Sequence, residues 1–226
     1  MKEEWCIPPK EDAAFVCNME DVLEVYKQAY DPKRPLICMD EMPKQLLADT
    51  REPMAVEPGH AARSDYEYQR HGIADLFLLF EPLQGKRYIQ VEKQRRRIEW
   101  AQVMKYLADE LYPEAEKIVV VMDNLNTHTP AAFYQVYEPE EARRLIQRFE
   151  FHFTPKHGSW LNMAEIELSA LARQCLNRRL ADIEFLCREV QAWQDQRNSE
   201  VVKVQWQFTT ADARIKLRHL YPRIQV

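Results

Sequence analysis

Glycine is scarce in this chain, with four among 226 residues. No Gly-x-Gly-x-x-Gly and no glycine-rich loop ending in Lys-Ser/Thr is present, so the common phosphate-cradling nucleotide sites lose their main sequence support. Cysteine forms no usable pattern either. Cys6, Cys17, Cys38, Cys175 and Cys187 are odd in number and contain no Cys-x-x-Cys, which argues against a disulfide framework or structural zinc and for a reducing, cytoplasmic setting. No apolar run approaches membrane-spanning length. The N-terminus places Lys2, Glu3 and Glu4 before Trp5-Cys6-Ile7-Pro8-Pro9, unlike the basic region and apolar stretch of a signal peptide. Positive charge is not in excess: the net charge is −5, so composition alone does not announce a nucleic-acid binder. Basic residues are instead clustered, at Lys93 to Arg97, Arg143-Arg144 with Arg148, Arg178-Arg179 and Arg214 to Arg218. Each cluster by itself reads as a solvated helix face.

Hydrophobic residues make up 46% of the chain, enough to bury a core in one large domain with extensions. The clearest strand is Lys117-Ile118-Val119-Val120-Val121-Met122, four apolar β-formers and a Met that deliver Asp123 to a sheet edge. Arg34 to Asp40 repeats the pattern in miniature, ending in Asp40-Glu41. Thr50 to Ser64 is polar and proline-bearing, a loop with room for one short helix. Gly72 to Phe80 and Lys86 to Val91 flank a Gly-containing turn and predict a hairpin. Arg96 to Leu111 has helical spacing and stops at Tyr112-Pro113. Thr129-Pro130 and Glu138-Pro139 start two short helices, and Phe149 to Phe153 alternates as a strand. Ser159 predicts an N-cap for a long helix through about Arg179, and Asp182 caps another through Asn198. The order predicts an α/β fold: a mixed five-stranded sheet with helices on both faces, arranged like ribonuclease H folds. Residues 1–33 read as a linker or helical extension, 34–200 as the main domain and 201–226 as a basic C-terminal extension.

Asp40 and Asp123 stand at strand ends, where packing alone does not call for a carboxylate. A third acid comes from the long helix. Its apolar face centres on Leu168, which puts Glu165 at the edge of that face and Glu167 on the opposite flank, in solvent. Carboxylates so placed suit a hard divalent cation such as magnesium, and two such ions stabilise the attacking and leaving oxygens of a phosphodiester displacement. Each acid also has a plainer reading. Asp40 serves a turn, Asp123-Asn124 an Asx-turn and Glu165 an ordinary helix surface. Periodicity and spacing reach a metal-dependent phosphoryl-transfer site and stop there.

The same residues carry a resemblance. Leu36-Ile37-Cys38-Met39-Asp40-Glu41, then Val119 to Asp123 with Asn124-Leu125-Asn126-Thr127-His128, and Thr154-Pro155-Lys156-His157-Gly158-Ser159-Trp160-Leu161-Asn162-Met163-Ala164-Glu165 resemble the catalytic blocks of bacterial insertion-sequence transposases of the mariner superfamily. Tyr68 to Gly72 and Trp206 to Thr209 extend the likeness over most of the chain. The resemblance implies a ribonuclease H-like (retroviral-integrase-like) DDE catalytic domain over 34–200, with Asp40, Asp123 and Glu165 as catalytic and metal-binding triad. It implies two Mg2+ ions, replaceable by Mn2+, and a double-stranded DNA substrate cut at transposon ends and joined to target DNA. It also implies a homodimer and a bacterial, nucleoid-associated location. His128, Lys156, His157, Arg96 and Arg97 are the candidate DNA contacts, each with a structural or solvated alternative. Forty-one residues separate Asp123 from Glu165, more than the compact spacing common in that superfamily, and the two proline-started helices hold the excess. Such transposases carry N-terminal helix-turn-helix modules; none is legible here, and Trp5 to Lys10 reads as the join after one. Two other functions stay open: a non-catalytic DNA-binding partner of a full-length transposase, and a ribonuclease H-like nuclease without strand transfer.

Overall fold

A computed structural model describes residues 7–52, 54, 56–61, 65–125 and 128–223. The strands are β1 (Leu36–Asp49), β2 (Tyr68–Glu81), β3 (Lys86–Glu92), β4 (Ile118–Met122) and β5 (Phe149–Phe153). They form one sheet in the order β3-β2-β1-β4-β5. β2 runs antiparallel to both β1 and β3, whereas β4 is parallel to β1 and to β5. This is the mixed ribonuclease H-like arrangement that the order of elements predicts.

The helices are α1 (Ala13–Tyr26), α2 (Arg97–Tyr106, continued by a π turn over Leu107–Leu111), α3 (Phe133–Val136), α4 (Pro139–Arg148), α5 (Met163–Gln174), α6 (Ile183–Ser199) and α7 (Thr210–Lys216). Strand alternation sorts them onto two faces. Leu36, Cys38, Leu76, Leu78, Val119 and Val121 point to a core shared with α1, α5, α6 and α7. Ile37, Met39, Phe77, Leu79, Val120 and Met122 point to a second core, built around Trp100 of α2 with Phe133 and Leu145 of α3 and α4. Phe15, Met19, Val22 and Leu23 of α1, together with Ala213, Leu217 and Leu220, are buried in the first core. Both segments outside 34–200 therefore pack on the sheet.

Four local expectations are corrected. β1 and β2 run well past their apolar stretches, because their antiparallel ladder continues to Asp49 opposite Tyr68. That arm needs no apolar alternation, since its residues from Tyr68 to Ile73 are exposed. The described residues of the following loop hold a turn bridged from Glu57 to His60 and no helix. The long helix starts later than Ser159, which lies in a 3-10 turn with Trp160 and Leu161. Asn162 caps it instead, its Oδ1 accepting from the Ala164 N–H at 3.1 Å, and the helix ends at Gln174. Glu167 is not solvated: its side chain is 1% exposed and pairs with Arg87 and Arg197, because α6 and β3 cover the flank that helical phase alone assigns to water.

Candidate active site

The parallel register sets Leu36 opposite Val119 and Cys38 opposite Val121. β1 and β4 thus run level, which sets Asp40 beside Asp123; Asp123 follows the end of β4, whereas Asp40 lies inside β1 opposite Leu78 and not at a strand end as the sequence suggests. α5 brings Glu165 in its first turn. Asn162 fixes where that turn begins: while its Oδ1 caps the helix, its Nδ2 donates to the Met39 carbonyl at 2.8 Å, in the residue before Asp40. The bond is buried, so breaking it would orphan both groups. It ties the start of the Glu165 helix to the strand carrying Asp40.

Burial pushes the Asp40 carboxyl up to about 7, and the negative charges of Asp123, Glu165 and Glu41 add to the shift against the pull of the Glu41 N–H. Asp123 and Glu165 are therefore both within electrostatic reach of Asp40. Among the described residues, no three His, Cys, Asp or Glu side chains are so arranged as to hold one ion. The donor chemistry nonetheless fits a hard divalent cation: half-buried carboxylates from three elements, one of them pressed toward neutrality by its neighbours.

One part of the site went unread in the sequence. His128 bridges two acids, its Nδ1 lying 2.7 Å from Asp123 Oδ1 and its Nε2 2.5 Å from Glu41 Oε1. Its side chain is 1% exposed, and it stacks on Trp100 at 5.8 Å between centroids. Burial pulls the imidazole pKa down, but the hydrogen bonds to Asp123 and Glu41 outweigh it and leave the pKa raised to about 9. Of the two readings of His128, DNA contact and hydrogen-bonded structural histidine, the geometry fits the second, because a buried ring with both nitrogens engaged has nothing left for a phosphate. The signal for Glu41 was the Asp40-Glu41 doublet at a strand end. Alternation sends Asp40 with Cys38 to the α5 face and Glu41 with Met39 to the α2 face, so the two acids serve opposite sides of the sheet.

Lys156 and His157 are exposed on the loop after β5, next to Asp123 through the bond from the Thr154 N–H to the Met122 carbonyl at 2.9 Å. Arg96 and Arg97 are exposed at the start of α2. They lie toward the same end of the sheet, since Glu92, ending β3, pairs with Asp75, and Asp75 pairs with Pro43 just beyond Asp40. Arg96 is engaged with Glu99, its Nη2 donating to Oε1 at 2.5 Å. Asn126 and Thr127 of the resemblance, like Trp5 and Cys6, lie outside the described residues.

Residues 35–187 match the family described as DDE superfamily endonuclease, a span that includes all three acids. The chain belongs to this family. Among solved structures, the Mos1 mariner paired end complex with Mn matches 89% of this DDE chain and 62% of its own at 16% identity and a TM-score of 0.56. The Mos1 strand transfer complex does so over the same shares at 18% identity and a TM-score of 0.57. The Mos1 paired-end complex with left transposon end gives 16% identity and a TM-score of 0.55. At these identities the likeness is one of fold, and the chain spans about 62% of the length of the first two Mos1 chains. No curated protein matches. Among the described residues no helix is long and apolar enough to cross a membrane.

Proposed function

We propose that this chain is the catalytic domain of a DNA transposase, with Asp40, Asp123 and Glu165 as the acids that hold two Mg2+ or Mn2+ ions. The observation that carries the reading is the meeting of three acids from β1, β4 and α5 at one sheet end, where burial and mutual charge raise Asp40. Bound divalent cations supply positive charge to the attacking and leaving oxygens of a phosphodiester. The protein's own part is positional. β1 and β4 are neighbouring strands, and the bond from Asn162 to the Met39 carbonyl supports α5 as the element that turns Glu165 toward them. In the cleavage step a water oxygen bonds to phosphorus, the bond to the 3′ oxygen breaks and the 3′-hydroxyl leaves with a proton. In the joining step the oxygen of that hydroxyl bonds to a phosphorus of target DNA, the bond from that phosphorus to the target's own 3′ oxygen breaks, and the target 3′-hydroxyl leaves with the proton. Exposed Lys156, His157, Arg96 and Arg97 offer charge to the DNA backbone around the acids. The reading includes double-stranded transposon ends and target DNA as partners, a homodimer that pairs two ends, and the bacterial nucleoid as location.

The test uses the purified chain, Mg2+ or Mn2+, and duplex DNA bearing the element's terminal repeats. The wild-type chain is expected to nick the ends, and Asp123→Asn and Glu165→Gln each to abolish nicking while melting like the wild type. Equal cleavage by these variants refutes the assignment. Cleavage that never proceeds to joining points to a nuclease, and binding without cleavage to a non-catalytic partner.

A further inference from the structure

We infer that Glu41 and His128 are positioning residues that hold the Asp123 carboxylate for its cation. The inference rests on the reading of Asp123 as a metal ligand. Asp123 lies one residue beyond β4, where the strand ladder no longer fixes the chain. Its hydrogen bond to His128 is the one its side chain makes among the described residues. That bond is made through Oδ1.

The bridge is built to last. The ring lies between Asp123 Oδ1 at 2.7 Å and Glu41 Oε1 at 2.5 Å, so each nitrogen has a carboxylate partner and the ring cannot turn without losing one. Glu41 anchors the far side with a side chain that is 3% exposed. Asp123 therefore gains an oriented partner. Trp100, fully buried, closes the ring's face at 5.8 Å, and Phe133 backs Trp100 at 5.2 Å. The groups facing the ring are thus two acids and one aromatic plane, all on rigid elements except Asp123 itself. This is the logic by which partners behind a metal ligand set its orientation, and losing such a partner typically weakens metal binding about 10- to 100-fold.

The experiment measures Mn2+ binding to the purified, DNA-free chain by electron paramagnetic resonance, beside thermal melts. His128→Phe keeps the stack on Trp100 but leaves Glu41 buried without its partner, which costs stability. The paired variant Glu41→Leu/His128→Phe removes that carboxyl as well and keeps the measurement available. Glu41→Gln retains an acceptor for Nε2–H and serves as the conservative rescue. The paired variant is expected to bind Mn2+ roughly 10- to 100-fold more weakly than the wild type, with Glu41→Gln between them. Wild-type affinity in the paired variant, with binding lost in Asp123→Asn, overturns the positioning role and leaves the site reading intact. Wild-type binding no tighter than that of Asp123→Asn overturns the site reading and this inference with it.

Discussion

Glu167→Gln is the substitution whose cost the fold specifies most closely. Gln has the shape of Glu, so packing is conserved and the loss is electrostatic. In the native chain Glu167 Oε2 lies 3.0 Å from Arg87 Nε, and Arg197 donates to Glu167 from Nη2 at 2.9 Å and from Nε at 3.1 Å. The Arg87 contact is an ion contact without hydrogen-bond geometry, since Nε finds no hydrogen-bond partner. The two arginines differ in what they can do once the carboxylate is neutral. Arg197 is 15% exposed and can turn to water, whereas Arg87 is 0% exposed and held by the carbonyls of Gly85 and Val202 at 3.0 and 2.7 Å. Burial already pulls the Arg87 guanidinium down, with Glu167 as its main opposing charge. Removing one partner of a buried pair costs about 3–5 kcal/mol, and the figure applies here because Arg87 has no route to solvent. At a urea slope of about 3 kcal/mol per molar, the upper end of the usual range and the one suited to a chain of this size, the unfolding midpoint should fall by roughly 1–2 M. Arg197→Ala leaves the Arg87–Glu167 ion contact in place but takes both hydrogen bonds from the buried carboxylate, and should cost about 1–3 kcal/mol, less than Glu167→Gln. Urea unfolding followed by tryptophan fluorescence measures both. A Glu167→Gln midpoint within experimental error of the wild type would show that Arg87 is solvated and would refute the argument.

Two further outcomes follow from other parts of the fold. Asp40 has its pKa raised from an ordinary 3.8 to about 7, so its contribution is full below 3.8 and lost as pH rises through 7; His128, raised from 6.5 to about 9, contributes fully below 6.5 and loses that through 9. Both therefore predict that the chain in chelator melts at lower temperature as pH is raised from about 6 to 9, and that Mg2+ restores stability most at the upper end; a melting temperature that climbs over this range in chelator contradicts them. Gly85→Ala should cost roughly 2 kcal/mol or more, because residue 85 has φ +64° and its new Cβ would stand 2.8 Å from the Val202 carbonyl oxygen, backbone that cannot swing aside. Chemical denaturation reads this, and an unchanged midpoint would mean that the 201–204 segment does not pack on the β2–β3 turn.

The sheet was legible because its central strands hold runs that are apolar on both faces and stop abruptly at acids, at Asp40 inside β1 and at Asp123 just past β4. Ile118 to Met122 are all buried, and so is the apolar run Leu76 to Phe80 of β2. The family resemblance and the ends of the apolar runs together pointed to Asp40, Asp123 and Glu165, and the structure brings the other two within electrostatic reach of Asp40. Glu41 was hidden by adjacency: two consecutive acids look like one polar terminus until alternation sends them to opposite faces. His128 was hidden by sequence separation, since Glu41 stands 87 residues away and only the fold makes them neighbours. The outer halves of β1 and β2 were unreadable for a different reason. A two-stranded arm satisfies its backbone by pairing, with no apolar periodicity to mark it.

The error over Glu167 explains how α5 is held. Helical phase computed from the apolar face treats a helix as having one buried side and one wet side. That held for Ile166, which is 45% exposed, and failed for Glu167 beside it. α5 instead has an apolar stripe on the sheet and a charged flank against β3 and α6. Two polar ties bracket Glu165: Asn162 to the Met39 carbonyl before it, and Glu167 to Arg87 and Arg197 after it. An apolar stripe alone tolerates small rotations and slides, because Leu168 and Leu171 find similar contacts after a shift of a few tenths of an ångström. Hydrogen bonds and buried ion contacts do not, since they weaken steeply with distance and angle. The direction of Glu165 is thus set by the polar residues around it, and Glu167→Gln should disturb cation binding at the acids as well as stability, even though Glu167 faces away from them.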